Sequence, residues 1–180
     1  MKSLNQYIQE KLIINQRFDE KLIINKDYRE AKIVVKSFDE LRNIIEDRYN
    51  KLGEGTEQDP IDFNDIDISN LDSFYNKHKG RFGSGIFQGK KFKYINISDW
   101  DVSNVKSMCQ MFWLCKELKS IGDISKWNVS KVENMISMFA NCKTLTSVGD
   151  LSNWDVSNVK HMSYMFHDSG IKNTPSWYKE

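Results

Sequence analysis

Three cysteines, three histidines and one glycine-rich basic stretch are the residues from which this 180-residue chain could build chemistry. Cys115 and Cys142 occupy equivalent places in a repeat, and Cys109 has no counterpart there. No Cys-x-x-Cys and no Cys/His pattern of a zinc site is present. The cysteine spacing predicts buried free thiols stacked on neighbouring turns, or a disulfide joining those turns. His78, His161 and His167 do not pair with a Ser, Cys or carboxylate in a nucleophile or metal pattern, so no catalytic residue, cofactor or metal is expected. The stretch KHKGRFGSGIFQGKKFKY, residues 77–94, carries Gly80, Gly83, Gly85 and Gly89 among six basic residues. A phosphate loop would need GxxxxGK[ST] between a strand and a helix, which is missing. Basic residues interleaved with Phe82, Phe87, Phe92 and Tyr94 would suit single-stranded nucleic acid. The formal net charge of +1 supplies no basic excess for that partner. The stretch reads instead as an extended loop inserted in a repeat, with Arg81 and Phe87 as candidate partner contacts.

The elements that hold these residues are set by a repeat. Trp100, Trp127 and Trp154 recur at one fixed offset. The same offset relates Val102, Val129 and Val156, Met108, Met135 and Met162, and Phe112, Phe139 and Phe166. A fixed period of this kind predicts stacked units. W-x-V suits a short strand. Ser130 with Glu133 fits a capping box, with Ser103 and Ser157 in the same place. The expectation is an α/β leucine-rich-repeat-like solenoid, a strand plus a short helix in each 27-residue repeat. Its N-terminal end carries a helical cap and an arm. Gly122-Asp123 and Gly149-Asp150 mark the turns between units. A degenerate first copy is Asp67-Ile68-Ser69-Asn70-Leu71 followed by Phe74, and its step to the next copy is lengthened by the basic loop. Lys106, Glu133 and Lys160 alternate in sign from unit to unit, which favours stacking in register.

The motif WDVSNVxxMxxMFxxCxxL resembles the repeat of BspA-like bacterial surface proteins, a mycoplasma-type branch of the leucine-rich repeats. The resemblance covers residues 96–170. It implies a right-handed strand-plus-helix solenoid used for protein binding or adhesion, and no enzyme. Members of that family are usually secreted or surface-anchored. Here the N-terminus lacks a signal peptide's apolar segment and cleavage site, and no apolar run reaches the roughly 20 residues of a membrane span. A cytoplasmic or virion-associated protein is therefore expected.

Four segments follow. Residues 1–36 repeat a ten-residue pattern: Glu10-Lys11-Leu12-Ile13-Ile14-Asn15, then Glu20-Lys21-Leu22-Ile23-Ile24-Asn25, then the weaker Glu30-Ala31-Lys32-Ile33-Val34-Val35. This is a small meander packed on the stack, or a docking arm using Leu12, Ile13, Ile14, Leu22, Ile23 and Ile24. Its opening, MKSLxxYIxEKLxIN, resembles the start of short proteins encoded by phages of gut Bacteroidetes. Residues 37–65 hold a capping helix and a polar connector. Ser37 and Glu40 form a capping box, Phe38, Leu41, Ile45, Tyr49 and Leu52 an apolar stripe, and Asp39, Glu40, Glu46 and Asp47 a solvated face. Residues 66–170 are the repeats. In residues 171–180, Ile171, Trp177 and Tyr178 are expected to close the end, and a chain ending in a cap reads as complete.

The function expected is a non-enzymatic protein–protein interaction module. Outward-facing Asp101, Ser103, Asn128, Ser130, Asp155 and Ser157 are contact residues or a merely solvated face. Trp113, Tyr164 and His167 break the repeat, so the scaffold does not require them and a partner can. The alternative is a phage virion structural or cargo protein, tethered by its arm to capsid or other virion proteins. No membrane partner is expected.

Overall fold

The computed structural model describes residues 32–77 and 83–179. The capping helix forms where the sequence places it. Ser37, in extended backbone, accepts the Glu40 N–H at 3.2 Å, and Lys36 N–H donates to Glu40 Oε2 at 2.6 Å. Acids in the first turn and Lys51 in the last suit the helix dipole. Helix α1, Phe38–Leu52, stops at Gly53, whose φ of 75° continues no helix and whose N–H returns to the Tyr49 carbonyl. It buries Leu41, Ile44 and Ile45. Two expectations change here. Leu52 is 43% exposed, because it is the last helical residue and lies beyond the stretch from Leu41 to Arg48 that the core covers. Asp47 is buried, its carboxylate 2.7 Å from Lys51 Nζ, so it does not lie on a solvated face.

Beyond the helix the chain is turn and coil, braced by short pairings. Strand β1, Ile33–Val34, runs parallel to β3, Ile66–Asp67, and β2, Ile61–Asp62, runs parallel to β6, Ile95–Asn96. β4, Tyr75–Asn76, and β5, Ser84–Gly85, form an antiparallel pair at the base of the insertion. Single parallel bridges link Ser73 to Ser107, Ser107 to Asn134, and Asn134 to His161. The first of these steps is longer than the next two, because the insertion falls within it.

The α/β leucine-rich-repeat-like solenoid is not what the chain forms. Among the described residues α1 is the one α-helix, every strand is two residues long, and the sheets are two-stranded. No repeat contains a helix. The reason lies in the polar residues of the motif. Asp101, Asn128 and Asp155 each accept the N–H of the Ser two residues on, at 3.0, 3.2 and 3.1 Å. Ser103, Ser130 and Ser157 are thus closed into Asx turns and cap nothing. Asn96, Asp123 and Asp150 do the same for Ser98, Ser125 and Ser152. The M-x-x-M-F segment cannot be helical either. Gln110, Ser137 and Tyr164, and four residues later Leu114, Asn141 and Asp168, all have positive φ, which no α-helix tolerates.

Each repeat is thus a turn bent at corners made by side chains and tied to the next turn by backbone bonds. The N–H groups of Met108, Gln110, Phe112 and Leu114 donate to the carbonyls of Asn134, Ile136, Met138 and Ala140. Identical residues therefore fall on one another. Phe87, Phe112, Phe139 and Phe166 form a column with centroids 5.2, 5.6 and 5.6 Å apart and planes within 16°. Trp127, Trp154 and Trp177 form a second. Gly149, with φ 92°, sits where a Cβ would overlap the Asp123 carboxylate, which explains the Gly-Asp at that corner.

Candidate partner-binding surface

The expected contact residues separate into three groups. Asp101, Ser103, Asn128, Ser130, Asp155 and Ser157 recur along the stack, and one side-chain oxygen of Asp101, Asn128 and Asp155 closes each Asx turn. Next to them in the chain are Asn104 and Asn158, whose amides donate to the carbonyls of Ser69 and Ser130. These polar residues hold corners, which is why they recur.

Phe87 is corrected. It is 1% exposed, stacked against Phe112 and Trp100, and is core. The insertion places it at the column position that Phe112 occupies one turn later, and a basic, glycine-rich neighbourhood masks this in the sequence. Arg81 and His78, and the arm residues Leu12, Ile13, Ile14, Leu22, Ile23 and Ile24, lie outside the described residues.

In the third group Tyr164 and His167 come together, and Trp113 lies two turns away. The inter-turn bonds put Trp113, Ala140 and His167 in one column and Gln110, Ser137 and Tyr164 in the column beside it. Tyr164 is 60% exposed, and its ring meets that of His167 edge-on at 5.6 Å. Trp113 is half-buried. It sits two turns from His167, a separation of about 10 Å at the usual 4.8 Å spacing. The result is one face with an aromatic group at either end and small Ala140 between them.

One surface was not anticipated. An open groove of about 740 Å³ is lined by Glu57, Tyr94, Asn96, Lys119, Thr144 and Thr146. Lys119 Nζ lies 5.7 Å from the Tyr94 ring centroid. Thr146 follows Lys119 by one repeat period, and that spacing is the signal that could have found it.

The thiols are inert by placement. Cys109, Cys115 and Cys142 are all buried and free. Cys115 Sγ donates to the Phe87 carbonyl and Cys142 Sγ to the Phe112 carbonyl, both at 3.0 Å. Burial pushes Cys109 up to about 11. Contact with Cys115, and then burial, push Cys142 far higher. Of the two readings of the Cys115–Cys142 spacing, the stacked free thiols are the one seen.

Charge on the corners gives the fold a pH dependence. The hydroxyl and amide of Ser103 hold Asp101 below the usual 3.8; Ser152 and Ser157 do the same for Asp150 and Asp155. For Asp123 the Ser125 amide is the larger cause. Lys160, hydrogen-bonded at 2.6 Å, lowers Glu133. A lowered folded-state value means stability that is complete above the unfolded value and is lost as pH falls through the folded one. The urea midpoint is therefore expected to hold steady above about pH 5 and to fall below about pH 4. Asn128 makes the same turn without a titrating group, so replacing Asp101, Asp123, Asp150 and Asp155 together by Asn should flatten this acid limb. An unchanged limb in that variant would place the acid sensitivity elsewhere.

Among the described residues, no group of three or more His, Cys, Asp or Glu side chains is placed to hold a metal ion. No helix there is long and apolar enough to cross a membrane. No curated protein and no solved structure matches the chain. Residues 82–177 match the family described as mycoplasma protein of unknown function, DUF285. The match takes in all three copies of the W-x-V…M-F motif and spans 96 of the 180 residues, so the chain belongs to this mycoplasma-type family.

Proposed function

We propose that this chain is a non-enzymatic protein-binding module whose contact face is formed by Trp113, Tyr164 and His167. The observation that carries the reading is the exposure of Tyr164 beside His167 on a scaffold whose repeated side chains are taken up by corners and core. Exposed aromatic residues at a face with no internal task are the usual anchors of protein contacts. The resemblance of the repeat to BspA-like surface proteins supports the same reading, since those proteins bind other proteins or adhere. The basic loop with Arg81 would extend the contact. The setting proposed is cytoplasmic or virion-associated, with no cofactor.

A second reading, a virion structural or cargo protein, rests on the duplicated EKLIIN peptide. A free-standing binder has no use for two copies of one short tag, whereas a tether to capsid or other virion proteins gains from both.

Affinity capture with mass spectrometry tests the first reading. The full chain is run beside its Trp113→Ala/His167→Ala variant, with near-UV circular dichroism as the check on folding. Partners retained by the full chain should drop about tenfold or more in the variant, the effect of removing a contact anchor. Partners that remain on the variant but vanish when the arm residues Leu12, Ile14, Leu22 and Ile24 are made Asp would favour the tether instead.

A further inference from the structure

The two ends of the stack are finished differently. At the first end, residues 32–35, from the third copy of the ten-residue arm repeat, lie against the stack. Ile33 and Val34 pair in parallel with Ile66 and Asp67, and Ile33 and Val35 are buried. At the last end the C-terminal residues cover only half of the final turn. Trp177 continues the Trp column over Trp154, and Tyr178 sets its ring edge against Phe166. The other half is bare. Val156, Val159 and Met162 are only partly buried, whereas Val129, Val132 and Met135, the same positions one turn earlier, are at most 1% exposed.

The backbone of that half is equally unfinished. Met135 and Ser137 donate their N–H groups to the next turn, at His161 and Ser163. The corresponding N–H groups of Met162 and Tyr164 have no acceptor among the described residues. Donors two residues apart match the carbonyls of an extended segment. The charge column Lys106, Glu133, Lys160 stops on a cation, so a further turn would best place an acid there.

We propose that this bare half-turn receives an EKLIIN segment from the arm of a second copy of the chain as its next parallel turn. Glu10 lies over Lys160, Leu12 over Met162 and Ile14 over Tyr164, with Glu20, Leu22 and Ile24 as the equivalent second copy. The spacing matches on the two sides: acid to apolar residues at 10, 12 and 14, and cation to Met162 and Tyr164 at 160, 162 and 164. Met162 N–H then donates to the Lys11 carbonyl and Tyr164 N–H to that of Ile13, repeating the bonds between the existing turns. Six residues separate Asn25 from Lys32. In the proposed contact the last turn of a neighbouring molecule meets the second copy within the reach of that six-residue tether from the first end. The contact is head-to-tail, so it links molecules in a row and does not close a two-fold dimer.

Two full-chain variants test this. The arm variant carries Leu12→Asp, Ile14→Asp, Leu22→Asp and Ile24→Asp; the end variant carries Met162→Asp. Lys160→Glu serves as a second end variant, at an exposed position that leaves the core untouched. Sedimentation velocity of the wild type should show mass rising with concentration, and the arm variant and the Met162→Asp variant, each alone, should stay monomeric. An equimolar mixture of arm variant and end variant should give a heterodimer and nothing larger, because only one complementary pair of ends survives. Lys160→Glu alone should weaken association about tenfold, with recovery when Glu10→Lys and Glu20→Lys are added. A wild type that stays monomeric, oligomers that survive the arm substitutions, or a mixture that does not associate would each overturn the proposal. The second copy would cover Tyr164, whereas Trp113 and His167 lie outside the contact, so the Trp113→Ala/His167→Ala capture tests the partner-binding reading apart from this one.

Discussion

Phe139→Ala is expected to destabilise the protein by about 3–5 kcal/mol, the usual cost of emptying a fully buried aromatic site. Phe139 is fully buried, and its ring is stacked between Phe112 and Phe166, 5.6 Å from each. Truncation removes that surface from the core and leaves a cavity. The cavity cannot collapse readily, because backbone bonds above and below fix the distance between turns: Phe112 N–H to the Met138 carbonyl, and Phe139 N–H to the Met165 carbonyl. A chain of this size has roughly 5–15 kcal/mol of stability in all, so the variant sits near the folding threshold. Stacked repeats also depend on their nearest-neighbour contacts. Loss of the middle ring should therefore lower the urea m-value as the two halves begin to unfold separately. Phe166→Ala, at the half-covered end, should cost distinctly less. Equal costs at the two positions, or a loss under about 1 kcal/mol at Phe139, would contradict a column that bears the stability of the fold.

The second large effect is at the helix. Asp65→Ala is expected to cost about 3–5 kcal/mol, the range for breaking a buried ion pair from one side. Arg48 is 5% exposed, and its guanidinium grips both Asp65 carboxylate oxygens at 2.7 Å. The same guanidinium donates to the Asp62 carbonyl and lies 5.2 Å from the Phe63 ring centroid. It therefore pins α1 to the turn that carries β2 and β3. Without Asp65 the cation stays buried and loses the carboxylate it grips. Replacing both partners by apolar residues, Arg48→Met with Asp65→Leu, should be milder than Asp65→Ala alone, because neither charge of the pair is then left buried without the other. Chemical denaturation of the two singles and the double closes the cycle. A double variant as damaged as the worse single would mean that shape, and not charge, holds the helix there.

Much of this was legible from residue order. The constant offset of the repeat pairs Ser107 with Asn134 and Asn134 with His161, and the longer step of the degenerate copy pairs Ser73 with Ser107. Period is a property of the chain, and stacking in register is the simplest way for each unit to bury the same apolar residues. The N-cap at Ser37 was legible for a local reason, since its partner Glu40 is three residues away. The exposed aromatic pair Tyr164 and His167 stood out because both break the repeat.

The conformation of the repeat unit was not legible. Ser130 and Glu133 spell a helix start, yet Asn128 reaches the Ser130 amide first, and positive φ at Ser137 and Asn141 ends any helix before it begins. That choice depends on bonds to the next turn, whose donors and acceptors lie a whole repeat away along the chain, so no local signal carries it. Phe87 reads as a loop aromatic because its neighbours are glycines and lysines. Only the closing of β4 on β5 brings it under Phe112. Asp47 reads as one acid on a polar face until Lys51 and the packing of α1 enclose it. The sequence by itself determined the period, the repeated residues that fill the core columns and the boundaries of α1, because these follow from apolar spacing and local capping. The tertiary structure decided the shape of each turn, the identity of the bare half-turn at Val156, Val159 and Met162, and the face that unites Trp113 with His167. Those follow from which backbone groups find partners across turns, and that is settled only when the turns are stacked.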